Sequence, residues 1–187
     1  MRAHYSIIIQ LNDDIIFLFK NLKELLKSKI GWYSSCNSEA HITILEFNAT
    51  PEEARYIIEK LLKIVQKQVE FNATFTKISS SEHTACTVVL PHKDYKKDFQ
   101  KLFSRIRKYL NIKEPYNGSE AHISIGRKLS AQQLQISQET FTDVDINFSC
   151  NQLALRKLNE EKKQFEIIKI FPFVGKPDNS QQLALGF

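Results

Sequence analysis

The chain has 187 residues, 42% hydrophobic and 25% charged, with only five Gly and five Pro; this is the composition of a globular protein able to bury a large apolar interior, as one domain or as two small lobes sharing a core. It excludes disorder and low complexity. A formal charge of +5 and a pI near 9.0 lean towards polyanionic partners, nucleic acids or phosphorylated metabolites.

Tyr5 to Gln10 reads as a strand, and Asp14 to Lys29 sets Ile15, Ile16, Leu18, Phe19, Leu22, Leu25 and Leu26 at helical spacing. A loop leads to a strand from His41 to Phe47. Thr50-Pro51-Glu52-Glu53 then supplies an N-cap, a first-turn proline and a capping-box acid, so a second helix starts there with Ala54, Ile57, Ile58, Leu61, Leu62 and Val65 on its apolar face. Phe71 to Ile78 and Thr84 to Leu90 form an expected hairpin around the turn Ser79–Glu82. Lys93 to Leu110 is a third helix burying Tyr95, Phe99, Leu102, Ile106 and Leu110. A loop with Pro115 and Gly118 precedes a strand from His122 to Arg127, Ser130 caps a helix over Ala131–Glu139, and two strands follow at Asp145–Leu158 and Gln164–Phe171. From Gly175 onward the polar residues read as a loose tail, 175–187.

In order, the elements are β-α-β-α-β and then β-α-β-α-β-β. A repeated heptad supports an internal duplication: Ser38-Glu39-Ala40-His41-Ile42-Thr43-Ile44 recurs from Ser119 with Ser124 replacing the threonine. Agreement at six of seven positions arises by chance at roughly one pair in 10⁸, against on the order of 10⁴ pairs in such a chain, given ordinary residue usage. The expected fold is α+β, a pseudo-two-fold bilobal domain over residues 1–174. Its lobes lie near 1–80 and 81–174, free to exchange strands, with antiparallel or mixed sheets and the helices outside.

Side chains at i and i+2 of a strand share a face, so His41 stands beside Thr43 and His122 beside Ser124, while the intervening isoleucines face the apolar layer. Two imidazoles and two hydroxyls about one centre suit phosphodiester hydrolysis without a metal. One neutral histidine takes a proton from water, the other gives one to the leaving oxygen, and the hydroxyls hold the nonbridging oxygens. Histidine fits both roles because its unperturbed pKa of ~6.5 lets both forms coexist near neutrality. Arg127, three residues past Ser124, can add a cation to the phosphate or stack on a base. Glu39 and Glu120 either orient the imidazoles from i−2 or lie exposed in the preceding loops.

The paired H-h-[T/S]-h elements, His41-Ile42-Thr43-Ile44 and His122-Ile123-Ser124-Ile125 with h apolar, resemble the 2H phosphoesterase superfamily, which includes the bacterial 2′-5′ RNA ligase-like proteins and the cyclic phosphodiesterases. An arginine shortly after the second motif, as at Arg127, is common in that group. Ala40 and Ala121 stand where members often carry proline, and a glycine often found after the first motif strand is missing near Phe47-Asn48. The resemblance in element order runs from about residue 4 to 172. It implies a bilobal fold with a central cleft, catalytic roles for His41 and His122, and metal-independent, cofactor-free hydrolysis of 2′,3′-cyclic phosphates or 2′-5′ bonds in RNA or nucleotides. Ligation is that reaction reversed.

Other features carry two readings each. Trp32, Tyr33 and Tyr116, in the loops before the motifs, stack on bases or pack, and the stripe Lys93, Lys97, Lys101, Arg105 tracks RNA or is a solvated face. His4, His83 and His92 read as structural, Phe99 and Phe148 as core. Cys36, Cys86 and Cys150 are odd in number and lack C-x-x-C spacing, which offers no disulfide framework and no zinc cluster; Cys36 lies near the first motif with nothing to activate it. No stretch approaches the ~20 apolar residues that cross a bilayer. A soluble, cytoplasmic monomer without a membrane partner is expected. The competing functional class is a non-catalytic RNA- or nucleotide-binding module in the same cleft.

Overall fold

The computed structural model describes residues 1–117 and 120–176. Gly118 and Ser119, the latter opening the second heptad, and residues 177–187 of the expected tail lie outside the described residues. The element order is β1 (Ala3–Gln10), α1 (Asp13–Ile30), β2 (His41–Ala49), α2 (Pro51–Val65), β3 (Phe71–Ser81), β4 (Cys86–Pro91), α3 (Lys96–Leu110), β5 (Tyr116–Asn117), β6 (Ile123–Arg127), α4 (Ala131–Thr140), β7 (Ile146–Cys150), β8 (Gln152–Asn159) and β9 (Gln164–Pro172).

The helix starts follow their capping chemistry. Thr50 and Ser130 both close capping boxes, with Glu53 and Gln133 as the reciprocal partners. The third helix begins later than its periodicity predicts, because Lys93–Tyr95 form a 3-10 turn before Lys96. On α1 the buried line is Ile15, Phe19, Lys23 and Leu26, whereas Leu18 and Leu25 are exposed.

The strands form two antiparallel sheets, β5-β2-β1-β8-β9 and β6-β4-β3-β7. The fold is therefore α+β, but the sheets do not divide near residue 80: β3 joins the second sheet, and β8 and β9 return to the first. The strand expected over Asp145–Leu158 breaks at Asn151, since Cys150 pairs with Phe71 in one sheet and Leu153 with Ile9 in the other. The hairpin turn also moves. Ser79, Ser80 and Ser81 stay in β3, paired with Val88, Thr87 and Cys86, and the Ser80 and Thr87 hydroxyls are 2.8 Å apart; the reversal falls at 82–85, with Ala85 at φ 52°.

A single apolar cluster runs through both sheets and the helices, from Ile7 and Ile9 to Phe75, Phe99 and Phe171. Ile42, Ile44, Ile123 and Ile125 are all 0% exposed. Burial of each is worth about 1.5–3 kcal/mol, so the motif isoleucines fix the strand phase that turns His41, Thr43, His122 and Ser124 the other way. Among the described residues no helix is long and apolar enough to cross a membrane.

Candidate active site

The two motif strands belong to different sheets and adjoin across the seam between them. Each carries one extra residue against its neighbour: β1 runs Ile7–Ile8 opposite Leu45 and Thr43, and β4 runs Thr87–Val88 opposite Gly126 and Ser124. The bulged residues are Ile44 and Ile125, the same heptad position. A bulge takes its residue out of the ladder, and a buried carbonyl there needs another donor. Each obtains one from the other half of the duplication. Arg107 on α3 donates to Ile44 O from Nε at 3.2 Å and Nη2 at 2.6 Å; the Tyr33 hydroxyl, just after α1, lies 3.2 Å from Ile125 O and from Lys23 O.

The imidazoles are held alike. Nδ1 of His41 lies 2.7 Å from the Glu39 carbonyl, and Nδ1 of His122 lies 2.9 Å from that of Glu120. A carbonyl only accepts, so Nδ1 carries the proton in both rings, and in the neutral ring Nε2 keeps its lone pair. The residue at i−2 thus orients each imidazole, but with its backbone; the Glu39 carboxylate instead accepts from Gln10 Nε2 at 3.0 Å. Both rings, Thr43 and Ser124 are partly buried. Among the described residues no protein group bonds either Nε2, the Thr43 hydroxyl or the Ser124 hydroxyl.

Three cations surround His41. Arg156 on β8 is 7% exposed with Nη1 3.2 Å from His41 Nδ1, Lys23 is buried in α1, and Arg127 ends β6. Among the described residues none of the three is within ion-pairing distance of a carboxylate. His41 titrates well below the ordinary histidine value, first through burial and then through Arg156, with Lys23 and Arg127 adding to the effect and the Glu39 hydrogen bond opposing it. Burial also lowers Arg156 to about 10 and Lys23 to about 8. Lys23 Nζ donates to Ser38 O at 2.6 Å, Ser38 Oγ at 2.9 Å and Ser35 O at 3.3 Å, tying down the loop that delivers His41. The arrangement can hold an anion, take a proton at His41 Nε2 and exchange one at His122 Nε2.

The sequence matches the family described as the 2′-5′ RNA ligase superfamily over residues 31–162, more than half of the chain. The chain belongs to that superfamily. Its fold is shared by LigT of E. coli complexed with NADP+, at 10% identity and TM-score 0.65 over 93% of this chain and 99% of that one. LigT complexed with 3′-AMP gives 12% identity and TM-score 0.64 over 92% and 99%. TT0787 of Thermus thermophilus gives 15% and 0.66 over 94% and 100%. At such identities the likeness is one of fold. No curated protein matches the sequence.

Within the superfamily frame, Tyr33 changes role. It is 2% exposed, with its one hydroxyl proton shared between two backbone carbonyls at 3.2 Å, so it cannot stack on a base; it is a strut between α1 and β6. Tyr116, 80% exposed on β5 and paired with Glu46, and Trp32, 69% exposed, keep their faces open. Arg127 is anchored by its backbone, its N–H donating to Ser35 Oγ and its carbonyl accepting from Ser34 Oγ, which leaves the side chain exposed. Ala40 and Ala121 are 3% and 5% exposed, packed directly before each histidine.

Lys93, Lys97, Lys101 and Arg105 are exposed, and Arg105 bonds Gln68. A different edge of α3, Lys96, Gln100, Ser104 and Arg107, lines a cavity of about 140 Å³ that reaches Glu120 and Ala121 beside the second motif. A second cavity, of about 360 Å³, lies by Lys20, Lys23, Cys36 and Ser38–Ala40 beside the first. Neither is lined by the imidazoles themselves. The three cysteines are free, Cys36 and Cys150 buried, and among the described residues no three His, Cys, Asp or Glu side chains converge to hold a metal.

Lys23 and Arg156 are the site residues that motif reading missed. Lys23 left a trace, since it continues the apolar line Ile15–Phe19 towards Leu26 on a helix face where a lysine is out of place. Arg156 left none beyond its place at the end of the run Leu153-Ala154-Leu155.

Proposed function

We propose that the protein is a phosphodiesterase that opens 2′,3′-cyclic phosphates or cleaves 2′-5′ phosphodiester bonds of RNA or nucleotides, without metal or cofactor, with His41 as base and His122 as acid. The observation that carries this reading is the matched pair of imidazoles, each with Nδ1–H committed to the carbonyl two residues back and Nε2 unengaged. Lone pair and proton are then available on the reacting side.

His41 takes the base role because burial and the cations around it favour its neutral form. Water attacks phosphorus as its proton passes to His41 Nε2. The bond from phosphorus to the ribose oxygen breaks, and that oxygen takes the proton of His122 Nε2. A phosphomonoester and a free hydroxyl result, and solvent exchange returns both rings to their starting states. Thr43 and Ser124 donate to the nonbridging oxygens, and the positive surroundings, Arg127 foremost because it is exposed, offset the charge of the pentavalent transition state. We assign base stacking to Tyr116, whose ring is exposed on β5.

The test is incubation with nucleoside 2′,3′-cyclic phosphates and a 2′-5′ linked dinucleotide, with products resolved by chromatography. His41→Ala and His122→Ala are each expected to lower turnover by at least ~10²-fold, the usual contribution of a proton-transfer group, in proteins whose circular dichroism is unchanged and in buffers with or without EDTA. Full activity in either variant rules out the two-histidine mechanism. Tight binding of these compounds by the wild type with no product would make the chain a nucleotide-binding module instead.

A further inference from the structure

The duplication makes the two motifs nearly equivalent, and one side chain breaks the equivalence. Both Nδ1 atoms face the carbonyl at i−2, but only His41 also meets a guanidinium, Nη1 of Arg156 at 3.2 Å. One nitrogen cannot serve both neighbours: a carbonyl needs Nδ1 to carry a proton, and a guanidinium, which only donates, needs it bare. The carbonyl contact is the shorter at 2.7 Å, and it recurs at His122, where among the described residues no cation bonds the ring. Arg156 is therefore not bonded to His41. It is a fixed cation set against the ring.

Its own fastenings explain why it stays there. Nη2 donates to Ser6 Oγ at 3.1 Å, the guanidinium lies over the Phe165 ring at 5.0 Å, and among the described residues Nε has no hydrogen-bond partner. Among the described residues no carboxylate is within ion-pairing distance of it: Glu46, the acid on the same sheet face, bonds His4 at 3.2 Å, and Glu39 bonds Gln10, so both act on its charge only from a distance. A buried cation without a directly paired counter-ion is costly.

We propose that Arg156 is a positioning residue that assigns the roles of the two histidines, holding His41 in the neutral form that accepts a proton from water and leaving the acid role to His122. This rests on the phosphodiesterase reading for its purpose, though not for its measurement. The charged groups about His41 are Arg156 from β8, Lys23 from α1, Arg127 from β6, the Glu39 carboxylate in the loop before β2, and Glu46 with His4 on β2 and β1. The three cations disfavour imidazolium, with Arg156 the largest of them, and the hydrogen bond to the Glu39 backbone carbonyl opposes them; the two carboxylates are engaged with Gln10 and His4.

The experiment is a titration of the histidine ring nitrogens by ¹⁵N NMR in the wild type, Arg156→Met and Arg156→Lys, beside the pH profile of kcat/KM on a cyclic phosphate. In the wild type His41 should titrate below ordinary histidine with its proton on Nδ1. Arg156→Met should raise its midpoint by about one pH unit, the usual effect of one close charge, and move the acid limb of the rate profile by the same amount. Arg156→Lys should return both towards the wild type, and the His122 signals should not move. A wild-type His41 midpoint at or above the ordinary value overturns the proposal even if Arg156→Met fails to fold, and so does a midpoint that is the same in both proteins. If no substrate turns over, the phosphodiesterase reading fails while the NMR arm still decides the role of Arg156.

Discussion

Lys23 and His41 sit where the fold disfavours their charged forms, Lys23 by burial beneath the Ser35–Ser38 loop and His41 by burial beside Arg156. Both folded-state values lie below the unfolded ones, so in each case the unfolded chain binds more protons between the two values and stability rises with pH across that window. For His41 the contribution is present above 6.5 and lost as the pH falls through its depressed value. For Lys23 the window runs from about 8 to 10.5, and full titration across it is worth up to about 3 kcal/mol at 1.36 kcal/mol per pH unit. Lys23→Met removes this term. The stability of the wild type relative to Lys23→Met, from urea unfolding midpoints, is expected to increase between pH 7 and pH 10.5, whereas a constant difference would mean that Lys23 is not buried in its charged form. Methionine also leaves the Ser38 carbonyl without its donor, so turnover should fall together with the order of the loop that carries Glu39 and His41.

At the scale of elements, what joins the halves at the site is the exchange of donors at the bulges. Tyr33→Phe deletes the hydroxyl that meets Ile125 O and leaves a buried carbonyl unpaired with little change in shape. The expected cost is about 1–3 kcal/mol, read as a lower midpoint in chemical denaturation. A cost near zero would show that the bulge does not depend on this donor. The elements differ in how far they could be read from sequence. The helices were legible because their signals are local: Thr50 and Ser130 cap, Pro51 begins, and apolar residues recur at helical spacing, with Lys23 the one break in the buried line of α1. Thr43 and Ser124 were legible beside their histidines because a strand fixes what i and i+2 share. The bulges were not, although Ile44-Leu45 and Ile125-Gly126 interrupt the alternation. Nor was the break at Asn151, because Cys150 and Leu153 fit one extended run equally well until their partners, Phe71 and Ile9, are known. Arg156 illustrates the limit, lying 115 residues from the ring it touches; no local pattern carries that contact.

For the whole molecule, the consequence is that the first motif depends on the end of the chain. β1 pairs with β2 on one side and with β8 on the other, joining Tyr5–Ile9 to Leu153–Lys157. That pairing closes nearly the full length of the chain, an ordering cost that is repaid only once the late strands exist. A protein ending at Asn151 would lose β8 and β9 and bare the edge of β1 along a run, Ile7-Ile8-Ile9, that is fully buried when β8 is present. An apolar edge of this kind pairs with other chains. The truncated chain is therefore expected to be insoluble or to unfold without a cooperative transition, even though both histidines and both hydroxyls remain. Supplying residues 152–176 as a separate peptide should restore cooperativity if β8–β9 act as a strand pair completing the first sheet. A chain ending at Asn151 that is soluble, monomeric and cooperatively folded would show instead that the first sheet closes without them, and Arg156 would then be an addition to a finished site rather than part of its frame.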